Sequence, residues 1–433
     1  MILSTLALAV ALPFAMPQWT APTFPARDFP IVDYGAKEGV KCTAAFADAV
    51  AACSRMGGGR IVVPKGVWTT GAIHLRSNCE LHLAEGAVVS FTDDPADYLP
   101  AVRSSWEGLE CVNYSPLVYA YGCTNVAITG RGELKPVMTR WAVFFKEGKT
   151  DIQKARGILY KWGAEDYPVE KRVMPTVSGA IMRPQLIQFN RCRDILIDGV
   201  KIRDSPFWTI HLFLSENAIV RNIDSSAHGF NNDGIDIEMT RNVVVENCTF
   251  DQGDDGIVLK AGRNRDAWRL GRATENVVVT NCDFRFAHSL VGVGSELSGG
   301  VRNFYMANCR IGKTYRIVYF KTNHRRGGTV ENVYVRDITA GEVRHSAIAL
   351  ESDVLYQWAE FPDYETRYTV FRNLDVRNMK VESAEWLIDV RADSHAPARG
   401  LHFENLHLAT ARKGVKRIEN AEDVEVVNCR VGK

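Results

Sequence analysis

From Asp194 onward the chain repeats one short pattern, and few folds accommodate it. Two apolar residues alternate with polar ones, a single Asn, Asp or Gly breaks the phase, and further apolar residues follow. Val243 and Val245, then Asn247, then Cys248 and Phe250 show it, as do Val277 and Val279, Asn281, Cys282 and Phe284. Phe304 and Met306 turn at Asn308 into Cys309 and Ile311, and Val424 and Val426 turn at Asn428 into Cys429 and Val431. The two-residue period is that of a strand with one face buried. A slip of one residue requires a bend, and Asn, Asp and Gly enter the left-handed region at least cost. Corners at 199, 222, 247, 281, 308, 337, 378 and 428 mark coils of roughly 22 to 30 residues plus insertions, a solenoid period. Apolar strands bent the same way at both ends predict an all-β chain forming a single right-handed parallel β-helix. A leucine-rich repeat would need a Leu-rich consensus and a helix in every coil, and the chain has neither.

An open solenoid end exposes strand edges. Thr43 to Arg55 supplies a cover, an N-terminal capping helix with Phe46, Val50 and Cys53 on one stripe. Thr43 is the expected N-cap, and Gly57-Gly58-Gly59 ends the helix. Strands are expected at Arg60 to Val63, Gly71 to Leu75, Glu80 to Leu83 and Ala87 to Phe91. Pro136 to Met182 loses the alternation and reads as a partly helical excursion within one catalytic domain of residues 22–433. Ile2 to Ala15 is apolar and too short to span a bilayer. It predicts a signal peptide over residues 1–21 and a secreted or periplasmic protein.

Ten cysteines would suit a disulfide framework in an exported chain. Cys248, Cys282, Cys309 and Cys429 instead follow Asn at one point of the repeat, where a small apolar thiol packs well; Cys42, Cys53, Cys79, Cys111 and Cys123 stay open. None has metal-ligand spacing with a His, so no metal and no other cofactor is expected. A formal charge of +1 gives no basic excess for nucleic acid or a membrane surface, and a monomer is expected.

The chemistry concentrates between Asn231 and Lys260. Aligning Asn-Asn-Asp-Gly-Ile with Gly-Asp-Asp-Gly-Ile places Asp233 opposite Asp255 and Asn232 opposite Asp254. On stacked parallel strands about 4.8 Å apart these carboxylates must interact. Like charges that close raise one pKa, and one protonated acid beside one ionised base suits glycoside hydrolysis. An Asn/Asp-rich turn that only caps backbone groups is the competing account. His288 and Lys321 follow at equal intervals on the next coils.

These residues resemble the motifs of glycoside hydrolase family 28, the polygalacturonases and their exo-acting bacterial relatives. The matching segments are Asn231-Asn232-Asp233, Gly253-Asp254-Asp255, Ala287-His288-Ser289 and Tyr319-Phe320-Lys321. Further similarity lies in Trp106-Glu107-Gly108, Arg183-Pro184, Ser205 to His211, Gly294-Ser295-Glu296 and Lys321 to Gly328. The resemblance implies Asp254 as general acid, Asp233 and Asp255 holding and deprotonating the attacking water with inversion, and His288 tuning the acid. It implies that Lys321 binds a galacturonate carboxylate, with Asn231, Tyr319, Arg326, Lys260 and His211 also on the substrate. Tyr319 stands where the family motif has Arg, which implies either that Arg325 or Arg326 compensates or that the preferred sugar carries its charge elsewhere. The implied partner is a pectic poly- or oligosaccharide attacked from a chain end. The alternatives are a hydrolase of rhamnogalacturonan or side-chain uronides, a β-helical pectate lyase, and a non-catalytic polysaccharide-binding β-helix.

Overall fold

The computed structural model describes residues 11–146, 149–177, 181–354 and 365–432. The strands stack as a right-handed parallel β-helix, with each strand pairing in parallel with its counterpart one coil away. Register follows the repeat: Val243, Val244 and Val245 lie against Ala218, Ile219 and Val220 on one side and Val277, Val278 and Val279 on the other. Every expected corner residue has left-handed backbone, from Gly199 at φ 83° and Asn222 at 56° to Asn428 at 49°. The long gap between 378 and 428 holds a further corner at Asn405, φ 55°.

A second column of left-handed residues runs along the other end of these strands. Asn217 donates to Asp194, and Asn242, Asn276, Asn303, Asn332 and Asn373 each donate to the Asn one coil back at 2.7–3.0 Å. The amides thereby satisfy one another where the backbone turns away from ladder pairing. Inside the tube, aliphatic and aromatic side chains form one continuous core, with the Phe250 and Phe284 rings stacked at 5.0 Å. Cys248, Cys282 and Cys309 are buried free thiols, each donating to the carbonyl two residues earlier, and Cys429 is half-buried. The remaining cysteines are also buried and free.

Helix α1, Thr43–Arg55, closes the N-terminal end and buries Ala45, Phe46, Ala49, Val50 and Cys53 in the main core. Its N-cap position is Cys42, not Thr43. The Thr43 hydroxyl accepts instead from Gly71 N at 2.8 Å, tying the helix to the first coils. Strands Gly59–Val63, Cys79–Leu83 and Ala87–Phe91 lie where the alternation places them. Gly71 to Leu75 shrinks to Ile73–His74, and Gly66–Thr70 is an additional strand.

Two features lie outside the tube. An antiparallel hairpin, Val102–Trp106 with Leu109–Asn113, packs with α2 (Thr139–Lys146), α3 (Lys149–Ala164) and α4 (Asn264–Leu270) over one stretch of the helix surface. Trp106, Leu109, Leu159, Tyr160, Phe207 and Trp208 form their own core there, and a buried Arg172–Asp266 pair at 2.6 Å joins α4 to the excursion. The second feature is a strap. Leu12, Phe14, Met16, Trp19, Ala21 and Phe24 lie on an outward apolar stripe made by Ala127, Leu196, Ile219, Val244, Val278 and Tyr305. The expected leader, residues 1–21, therefore divides: 1–10 lie outside the described residues, and the part from Leu12 onward is packed. Among the described residues no helix is long and apolar enough to cross a membrane.

Candidate active site

The strands Ile235–Glu238 and Ile257–Lys260 and the equivalent stretch Val291–Gly294 stack in register, and their leading residues carry the acids. Gly234 N donates to Asp255 O at 2.9 Å and Gly256 N to Ser289 O at 2.8 Å, which sets Asp233, Asp255 and Ser289 one above another. The next coil adds Arg316, paired with Ser289. One oxygen each of Asp233, Asp254 and Asp255 lie within 4.8 Å of one another. Asp254 turns outward with its side chain 26% exposed, while Asp233 and Asp255 are buried. At position 292 a Cβ would meet Asp255 Oδ2 at 3.0 Å, so glycine makes room for that carboxylate.

The three acids sit in different fields. Burial alone would raise Asp255, but the Lys321 charge, its 2.7 Å hydrogen bond and the hydrogen bond donated by Ser289 Oγ hold it below the usual carboxylate range. Asp233 is pushed well above that range, first by burial, then by the charges of Asp236 and Asp254, against the opposing Lys260. Asp236, fully buried beside it, is raised by burial as well, against the Lys260 charge 3.6 Å away and a hydrogen bond with Asp233. His288 Nδ1 lies 3.3 Å from Asp254 Oδ1, and His288 N donates to Asp254 O at 2.8 Å. Burial favours neutral imidazole, but the hydrogen bond and charge of Asp254 prevail and raise its pKa. The Tyr315 ring stacks on the imidazole at 4.5 Å.

A strip of acids in different electrostatic surroundings, with cations at hand and Asp254 open to solvent, is equipment for acid–base chemistry on a bound anion or sugar. A sequence profile described as glycosyl hydrolases family 28 matches residues 175–429, more than half of the chain. The chain belongs to this family. A solved structure of a hyperthermoactive exopolygalacturonase from Thermotoga maritima is 36% identical with a TM-score of 0.86, covering 94% of this chain and 93% of that one. A probable polygalacturonase of Vitis vinifera is 25% identical, covering 90% of this chain and 75% of its own. An exo-poly-alpha-D-galacturonosidase of Dickeya chrysanthemi is 28% identical over 63% of this chain, which spans about half (48%) of that relative.

Within this family-28 site the motif residues Asp233, Asp254, Asp255, His288 and Lys321 come together, and other expected substrate ligands do not. His211 is fully buried under the hairpin, bonded to Gln188 and to Glu238 at 2.9 Å each, so it is corrected from substrate ligand to internal polar residue. Arg326 is also fully buried, donating to Ser295 O and, at 2.9 Å, to Asn264 Oδ1. It neither reaches the cleft nor replaces the Arg missing at 319. Lys260 lies beneath the acids, bonded to Glu296 at 3.0 Å and 3.9 Å from Asp233; its charge acts on Asp233 and it has no open face for a sugar. Asn231 sits at the rim, its Oδ1 accepting from Arg183 at 3.0 Å. Tyr319 faces the cleft and donates to Glu351 Oε2 at 2.7 Å. Any cation held among the described residues would find its oxygens in the three acids, where Lys260 and Lys321 already supply counter-charge.

Two parts of the site escaped sequence reading. Ser289, given no role beyond its place in the Ala287-His288-Ser289 segment, is a hydrogen-bond donor to Asp255. The hairpin closes the groove on the side of the earlier coils. Ser104 Oγ reaches Gln188 at 3.1 Å and Gln185 donates to Ser105 O at 2.8 Å, while Glu107 at the tip takes the Tyr160 hydroxyl and Arg263 bonds Glu296. The wall made here, hairpin plus α3, seals the row on which His211 lies.

Proposed function

We propose that the chain hydrolyses galacturonate-containing pectic saccharides from a chain end, by single displacement with inversion. The observation that carries this is the cluster of three acids within 4.8 Å, with Asp254 open to solvent and the pKa values of Asp233 and Asp255 driven in opposite directions. Asp254, the most open of the three, protonates the leaving oxygen, and the cationic His288 beside it stabilises the carboxylate that remains. Asp255, ionised, takes a proton from water, and Asp233 fixes that water's position. Both Asp255 oxygens are already engaged, by Ser289 and Lys321, which holds the carboxylate in place to act on water and not on carbon. The acids lie closer than the ~6.5–9.5 Å usual for inverting pairs, so the stereochemical outcome is the direct test. NMR of the first-formed product should show the anomer opposite to the substrate's, and retention would overturn the displacement.

One observation favours a second assignment, with Asp233 as the proton donor: its carboxyl is the one driven upward. A galacturonide with a nitrophenol leaving group separates the two, because departure then needs no proton. The acid's Asn variant keeps most activity on that substrate, and the water-handling variant does not. The chain-end mode is supported by the hairpin wall, and early release of mixed-length oligomers from polygalacturonate would exclude it. Export is proposed on the apolar N-terminal run and tested by mass analysis of protein recovered outside the producing cytoplasm.

A further inference from the structure

Arg316 is outside every motif that marks the family, yet it occupies the strip of the acids. The register Ser289↔Arg316 places it two coils beyond Asp255, about 10 Å along the axis. Its guanidinium lies 4.1 Å from the centre of the Tyr319 ring and donates to Glu351 Oε1 at 3.0 Å, while Tyr319 Oη holds the other oxygen of that carboxylate. The plane is thus fixed in advance, with the side chain 20% exposed to the groove. Its Nε–H is buried without a hydrogen-bond partner among the described residues, so any ligand must meet the terminal nitrogens.

Charge accounting singles it out. Near the acids, Lys260 is consumed by Glu296 and Lys321 sits on Asp255. Past them, Arg391 shares Glu351 with Arg316, and Arg417 grips Asp389 through two bonds of 2.7 Å. Three guanidinium groups face two half-buried or buried carboxylates, and the further acid near Arg391, Asp353, is 73% exposed at 3.7 Å. One of the three carboxylates that balance these guanidinium groups is therefore out in solvent, next to three acids that would repel an anionic sugar.

We propose that Arg316 is a specificity-determining residue, binding the carboxylate of the uronate unit that lies on the later-coil side of the acids; this rests on the reading that the site takes a uronide. A fork of parallel N–H donors matches a carboxylate in a way a lysine does not. Tyr319 then acts as the platform that positions this guanidinium, so an Arg from position 319 itself is not required.

Calorimetric titration of wild type and Arg316→Gln with galacturonate and with its methyl ester tests the proposal without turnover. The variant should bind galacturonate about tenfold more weakly or worse, with ester binding unchanged and Arg316→Lys intermediate. Melting temperature serves as the folding control, and Arg316→Lys keeps the test alive should the Gln variant not fold. Affinity of Arg316→Gln within twofold of wild type, or no galacturonate binding by wild type, overturns the assignment. Hydrolysis of trigalacturonate by wild type is scored separately: its absence defeats the hydrolase reading, and the titration still decides Arg316.

Discussion

At the residue scale, the electrostatics of the strip set the expected behaviour of single substitutions. Asp254→Asn should lower kcat on polygalacturonate by about 10²–10⁴-fold with the melting temperature retained, the usual worth of a positioned proton donor. The pH profile follows from two shifts. His288 is raised, so its proton, and the activity depending on it, is lost as pH rises through that elevated value. Asp255 is lowered, so its ionised form persists until pH falls through a value below the ordinary carboxylate range. The optimum should be acidic, and His288→Gln should flatten the alkaline limb; an initial-rate maximum above about pH 8 contradicts the assignment. The motif acids were legible because two Asp-Gly-Ile runs can be aligned by eye. Ser289 was not, since a hydroxyl reveals its partner only when the strands are stacked.

Elements follow the same division. Corners that interrupt an alternation are visible in sequence as a phase slip, and all of those expected are left-handed. The second column, Asn217 to Asn373, begins strands before any alternation exists, so nothing slips. Its value can be measured. Asn276 donates to Asn242 and accepts from Asn303 with φ 56°. Asn276→Ala should cost about 2–3 kcal/mol in urea unfolding, from two lost hydrogen bonds and a strained corner. Asn276→Gly keeps the corner and should cost less, and an Asn276→Gly variant as stable as wild type would show that the ladder contributes nothing beyond backbone conformation. The hairpin was missed for a related reason. Ser104 and Ser105 are buried against Gln188 and Glu238, so burial there leaves no apolar signature.

For the whole molecule, the strap and the wall are the long-range features that matter. Val243-Val244-Val245 and Val277-Val278-Val279 are apolar on both faces, the outward residues covered by Leu12 to Trp19. Deleting residues 1–24 should leave that stripe bare and raise the apparent mass in light scattering, with kcat/KM little changed because the stripe contains none of the site residues; a monodisperse monomer would contradict this. The amino-acid sequence by itself determined the coil, its corners and the acid strip, because each depends on neighbours in the chain or on one repeat length. Which charged groups face a sugar was decided only in three dimensions. His211 lies in the same strand row as Tyr319, which faces outward two coils beyond the acids, but the hairpin from residues 102–113 buries His211, and the loop around Ser295 buries Arg326. Burial by segments distant in the chain writes no periodicity into the sequence it covers.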